Sequence, residues 1–367
     1  MKKTLKVLLL FVTVFSLFSF SVHAEGGENT EDRFWDGFTD ILPDGADKFE
    51  TPGEVLSGVG IDALVSEITS ALSNSLGAAV SFFVMLLGIA VIVSVSELSL
   101  SNENQNLSRH ISAGVTVIVS VLIFGRVGPL YFSVKESLFS LSAFFSELIP
   151  IATGILSAGG NLSSASVQAL NMNLTLAAVS KIFTSVLLPL SSAMFALSLA
   201  GSIDGGAVSS LSKGIKGFFN WALGISSAVI IGAVSMQSVV ATASDSAYLR
   251  AAKYAASGMI PVVGSTVSGA LSTLAGGLSY VKSTVGVYAV AVIVTMALTP
   301  LINLLLFRLS FSLCISFLEL VGTVGGVRTF SAFRTSLDSL ISVYSVSVVI
   351  YVAEIIVFMK CGVAVFG

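Results

Sequence analysis

Residues 76–96 read LGAAVSFFVMLLGIAVIVSVS, 21 positions without a charge. At about 1.5 Å per residue, a helix of that length is roughly 30 Å long, which is the thickness of a bilayer's hydrocarbon core. The stretch therefore reads as a helix that crosses a membrane. The rest of the chain carries the same signature. Of 367 residues, 54% are hydrophobic and 11% are charged, and the mean hydropathy is +0.95. A soluble domain carries about 25% charged residues. The expected fold is an all-α polytopic membrane protein with about six to eight spanning helices.

The ends and the charge pattern divide the chain. Lys2, Lys3 and Lys6, the apolar run 7–20 and the small-residue site Val22-His23-Ala24 make residues 1–24 a secretory signal peptide; an uncleaved anchor helix is the alternative. Residues 25–54 hold ten acidic side chains against Arg33 and Lys48, a net of −8. With Pro43 and Pro52, this reads as an acidic extracytoplasmic segment. Its Phe34, Trp35 and Phe38 are candidates for docking a partner, unless the segment is a solvated linker. Its charge argues against nucleic acid, which needs a basic face. Residues 105–367 carry 13 Lys/Arg and 7 Asp/Glu, so the membrane body is mildly basic at +6.

Chemistry has little to work with. Cys314 and Cys361 both sit in apolar surroundings and make neither a disulfide framework nor a metal site. Once the signal is removed, His110 is the remaining histidine. There is no P-loop, HExxH or GxSxG motif. No catalytic residue, metal or cofactor is expected, and the chain does not read as an enzyme.

Along the body, residues 55–75 have apolar positions near helical period (Leu56, Val59, Ile61, Leu64, Val65, Ile68, Leu72) with Asp62 and Glu67 between them. They read as an amphipathic interfacial helix. Residues 76–132 hold two leading transmembrane helices, the second (111–132) with Arg126 snorkelling near its end. Two units of similar layout follow, at 133–243 and 244–367, the second repeating as far as about residue 360. Leu148-Ile149-Pro150-Ile151 resembles Met259-Ile260-Pro261-Val262, and Leu187-Leu188-Pro189-Leu190 resembles Leu298-Thr299-Pro300-Leu301. The offset is 111 residues in both cases. In the first unit, 137–159 is a kinked span or a re-entrant segment and 167–199 spans; 211–219 is short and basic, and 221–241 spans again behind Trp221. In the second, 250–279, 284–307 and 309–323 precede a break at Gly325-Gly326. A short basic segment at 327–334 and a last span at 340–358 follow.

Two sets of residues are candidates for function. Proline in a helix frees a carbonyl that must be satisfied by protein or water, so such positions mark broken helices around a cavity, or simple kinks. That set is Pro150, Gly154, Pro189, Pro261, Gly264, Pro300 and Asn303. Charges inside apolar stretches cost about 2.5–3.5 kcal/mol at mid-bilayer and so face protein or water, or snorkel. That set is Glu147, Lys181, Arg308, Glu319 and Glu354. Glu147 and Lys181 could pair across neighbouring helices. Arg308 and Glu319, eleven residues apart, lie about 16 Å apart along one helix and cannot pair directly. The duplicated, proline-marked unit suggests a translocation path. A stand-alone secondary transporter of small solutes and a membrane scaffold without a path are the alternatives.

The signal, the acidic segment and a body containing Lys253-Tyr254 and Gly258-Met259-Ile260-Pro261-Val262-Val263-Gly264, with Val285-Gly286-Val287 opening a long apolar helix, resemble the stage III sporulation protein AE family of endospore formers. The resemblance runs over most of the chain. It implies a multi-pass protein of the mother-cell membrane facing the forespore, acting in a transport channel complex between the two cells. The implied partners are the other proteins of the stage III sporulation A operon, including the secretion-type ATPase and the ring-forming subunits, and stage II sporulation protein Q across the intermembrane space. It brings no catalytic residues.

Overall fold

A computed structural model describes residues 59–100, 105–159, 161–203, 211–236 and 264–360. Among the described residues there is no strand. Helix α1 is Val59–Leu100 and α2 is Gln105–Ala158. Helix α3, Leu162–Ala178, runs without a turn through a π-helical segment, Val179–Leu187, into α4, Leu188–Ile203. Helix α5 is Leu211–Met236, α6 is Gly264–Val321 and α7 is Val324–Lys360. Taking α3–α4 as one rod, six of these are long and apolar enough to cross a membrane. The protein is an all-α polytopic membrane protein.

Six candidate spans among the described residues agree with the six to eight expected, but several of the helices are longer than the sequence suggests. The expected surface helix at 55–75 and the first span belong to one helix from Val59 onward. The short basic segment 211–219 and the span behind it form α5, and 327–334 and 340–358 form α7. The expected spans 284–307 and 309–323 are both part of α6. In hydrocarbon every unpaired backbone group is costly, so a helix runs on through a local polar or glycine signal that would end it in water. At about 1.5 Å per residue, the 54 residues of α2 reach roughly 81 Å, more than twice a hydrocarbon core. The bundle therefore projects beyond the bilayer.

The break expected at Gly325-Gly326 lies instead at Gly322, the glycine with positive φ (83°). Thr323 N donates to the Leu318 carbonyl (3.1 Å) and Gly322 N to that of Glu319 (3.2 Å), the Schellman pattern that closes a helix on a left-handed residue. Gly325 and Gly326 lie inside the first turn of α7. There their N–H groups donate to the Glu97 carboxylate at the end of α1, at 3.0 and 3.3 Å. The carboxylate neutralises part of the positive end of the helix dipole. A Cβ on Gly325 would lie 3.2 Å from Glu97 Oε2, and one on Gly326 3.1 Å from Leu318 Cδ2 and Val93 Cγ1. Both glycines thus permit a close approach rather than a turn.

From this turn α6 and α7 run antiparallel. Arg308 pairs with Asp338, Tyr344 Oη reaches the Ala297 carbonyl, and Gly286 lies against Met359. Helix α2 runs parallel to α7, joined by Ser137–Tyr344 (2.7 Å) and Ser142–Tyr351 (2.8 Å). Phe82 of α1 stacks on Phe307 (4.2 Å), and Phe195 of α4 packs on Phe333 (5.2 Å). Tyr344, Tyr351, Phe145, Phe311 and Phe333 are fully buried at the bundle centre. Val84, Ile92, Ile118, Val121 and Leu122 point outward, an apolar rim suited to lipid.

Candidate functional site

Helix α3 buries a polar stripe beside Ala165 and Met172. Leu162, Leu170 and Leu174 are exposed, whereas Ser164, Gln168, Asn171 and Thr175 are buried. Their spacing of four, three and four residues places the polar set on one helical face. The stripe faces α7, where Glu354 is fully buried. Gln168 Nε2 donates to Glu354 Oε1 at 2.8 Å and Thr175 Oγ1 to Oε2 at 3.2 Å. Both carboxylate oxygens therefore have a donor, and the cluster ties α3 to α7 through side chains alone.

Glu354 was legible as a charge inside an apolar run. Gln168 and Thr175 were missed. Uncharged polar residues raise no alarm in a hydropathy reading, and the spacing Ser164, Gln168, Asn171, Thr175 was the available signal. The arrangement supplies interhelical hydrogen bonding. Among the described residues, no group of three His, Cys, Asp or Glu side chains could hold a metal ion.

The other charges do different things. Arg308 Nε donates to Asp338 Oδ1 at the half-buried α6–α7 seam. Glu147, Lys181 and Glu319 are exposed, and the expected pairing of Glu147 with Lys181 does not form: no ion pair links them.

Among the described residues, Pro129, Pro150 and Pro300 lie inside continuous helices: α2 runs unbroken through Pro129 and Pro150, and α6 through Pro300. Pro150 is exposed, as is Ser146, whose carbonyl the ring leaves without its helical donor. Thr153 Oγ1 bonds the Ile149 and Pro150 carbonyls there, at 2.9 and 3.1 Å. Gly154 is exposed near the end of α2, with open space where a Cβ would stand. The broken helices weighed at Pro150 and Pro300 are thus continuous, since a single carbonyl freed by proline can be answered by neighbouring side chains or water without ending the helix. Asn303 is half-buried one turn beyond Pro300. Gly264 opens α6. Pro261, Phe34, Trp35 and Phe38 lie outside the described residues.

Pro189 differs. It follows the nine-residue π-helical segment directly, and Leu188 N reaches back to the Phe183 carbonyl, five residues earlier. The helix is thus widened just before the residue that lacks a donor, a deformation often found at functional positions. Pro189 faces outward, into a groove between this segment and α2.

The model of the family described as stage III sporulation protein AE matches residues 56–363. The chain belongs to that family. A curated member, stage III sporulation protein AE of Bacillus subtilis (strain 168), is 23% identical over 211 residues, covering 56% of this chain and 53% of the relative. The alignment thus spans about half the length of that relative. No solved structure matches. The family assignment makes this a sporulation membrane protein, and its family is defined by a developmental process rather than by a reaction.

Proposed function

We propose that the protein is the membrane subunit of a specialised transport channel linking mother cell and forespore, set in the mother-cell membrane that faces the forespore, and that it is not an enzyme. The family match over residues 56–363 carries this reading. The bundle refines it. With Tyr344, Tyr351, Phe145, Phe311 and Phe333 filling the centre, the described helices support a path rather than enclose one. A path would run along the outer face of the bundle, between copies or against partner subunits. The partners in this reading are the other stage III sporulation A-operon proteins, the secretion-type ATPase and ring-forming subunits among them, and stage II sporulation protein Q. The same filled centre favours a second reading, a scaffold without a path.

The test is reconstitution and capture. The purified protein alone in liposomes is expected to show no gradient-driven solute uptake. From sporulating cells it is expected to copurify with the ring and ATPase subunits. Uptake by the isolated protein would make it a stand-alone transporter. Normal passage of a small tracer between the two cells in a deletion strain would leave the scaffold reading.

A further inference from the structure

We propose that the groove between α2 and the π-helical segment binds one anionic phospholipid, its phosphate held at Lys135 and its acyl chain lying along the groove floor. The groove is a lateral hollow of about 510 Å³. Phe124, Phe132, Phe139, Leu188 and Phe195 supply its apolar lining, and Lys135, Thr184, Ser185 and Ser192 polar groups. A single glycine on the α2 wall and a deformed helix on the other leave the space. A Cβ on Gly128 would meet nothing within 4 Å, and the widened turn before Pro189 forms the opposite side.

The polarity runs along the groove in the order of a lipid. Tyr131 bonds the Ser191 carbonyl (3.2 Å) and Phe124 stacks on Phe195 (5.6 Å), so α2 and α4 are antiparallel. That pairing brings Lys135 and Lys181 to the same end of the bundle. Lys135 follows the span 111–132, and Lys181 precedes the charge-free run 182–203. Both lysines therefore mark one polar boundary. From Lys135 to Phe124 is eleven residues, about 16 Å of helix, close to half of a ~30 Å hydrocarbon core. The part of the groove from Lys135 to Phe124 thus has the length of one leaflet's tail, and beyond Lys135 it continues one turn to Phe139. The Lys135 ammonium lies over the Phe139 ring, 5.7 Å from its centre, rather than on a carboxylate. Glu136 lines a neighbouring hollow beyond Pro129, with Gly125 and Ser133. Arg126 lines neither hollow. A neutral transmembrane partner helix would use the apolar floor but leave the lysine and hydroxyl end without a counterpart.

The experiment uses the full chain in neutral detergent, with retained lipid read by native mass spectrometry. Phosphatidylglycerol, phosphatidylcholine and inorganic phosphate are the three probes. Phosphatidylglycerol is expected to be retained at one per chain, about fivefold more tightly than phosphatidylcholine, with no retention of phosphate alone. Lys135→Glu, at an exposed position, is expected to abolish that preference, and Lys135→Arg to keep it. Gly128→Leu is expected to reduce retention of both lipids, with thermal melting showing that each variant is folded. Equal retention of the two lipids by the unaltered chain would overturn the proposal, as would retention of phosphate alone. So would a preference indifferent to Lys135→Glu, or disulfide cross-linking of Ser192→Cys between copies in the membrane, which would make the groove a subunit contact.

Discussion

Two carboxylates show how a charge is accommodated in this chain. Glu354 sits in the core and accepts from Gln168 and Thr175; Glu97 sits at a helix end and accepts from two backbone N–H groups. Truncating Glu354 leaves two buried donors unanswered, each worth about 1–3 kcal/mol when stranded, although interhelical bonds in membranes average about 0.6 kcal/mol. Glu354→Ala is therefore expected to lose about 1–3 kcal/mol in detergent unfolding. Glu354→Gln, which keeps an acceptor and the shape, should lose less than half as much. Equal losses would mean that the cluster is packing rather than hydrogen bonding. At Glu97 the balance is different, because the partners are the first N–H groups of α7. Glu97→Gln keeps an acceptor and removes the charge from the helix dipole, at a cost of about 0.3–1 kcal/mol; Glu97→Ala removes both, at about 1–2 kcal/mol. The cost of Glu97→Gln should shrink as salt is raised, since only the charge contribution is screened, while the difference between the two Glu97 variants should stay constant.

At the scale of elements, the tightest seam is between α6 and α7. Gly286 is buried, and a Cβ there would run into Met359 Cγ and Sδ. Gly286→Ala is expected to cost about 1–3 kcal/mol through overpacking, and Met359→Ala in the same chain to recover most of it. Failure of the second change to rescue the first would place the strain in the backbone of α6 instead. How much of these elements the sequence shows depends on what holds each one. Helix content and spanning character follow from long charge-free runs, and 76–96 alone shows both. Glu354 stands out because a carboxylate in such a run is costly. Helix boundaries were misjudged where local rules were applied without the lipid: Pro150 and Pro300 bend no register, and 211–236 is one helix despite its basic start. The turn was placed at Gly325-Gly326 rather than Gly322 because composition does not distinguish a glycine needed for positive φ from one needed for close approach. The π-helical segment before Pro189 and the partners of Glu354 are tertiary facts, set by which faces meet.

For the whole molecule, the consequence of the fold is an alternation of sides. Helices α5, α6 and α7 each form one rod long enough to cross, and α3–α4 together form another. If each rod crosses once, the start of α3 and the end of α7 lie on one side of the membrane, and the start of α5 and the end of α6 on the other. Four positions report this without disturbing the core, because Leu162, Leu211, Leu320 and Lys360 are all exposed. Each is changed singly to cysteine in a background lacking Cys314 and Cys361 and probed with a membrane-impermeant thiol reagent. Leu162→Cys and Lys360→Cys should label from one face, and Leu211→Cys and Leu320→Cys from the other. Labelling of Leu162 and Leu211 from the same face would mean that the α3–α4 rod does not cross the membrane. The widened turn before Pro189 would then lie, with the lipid groove beside it, in a rod held at one face of the bilayer. Labelling from opposite faces would make the same turn a deformation inside a crossing helix, with Lys135 and Lys181 at one boundary of the bilayer.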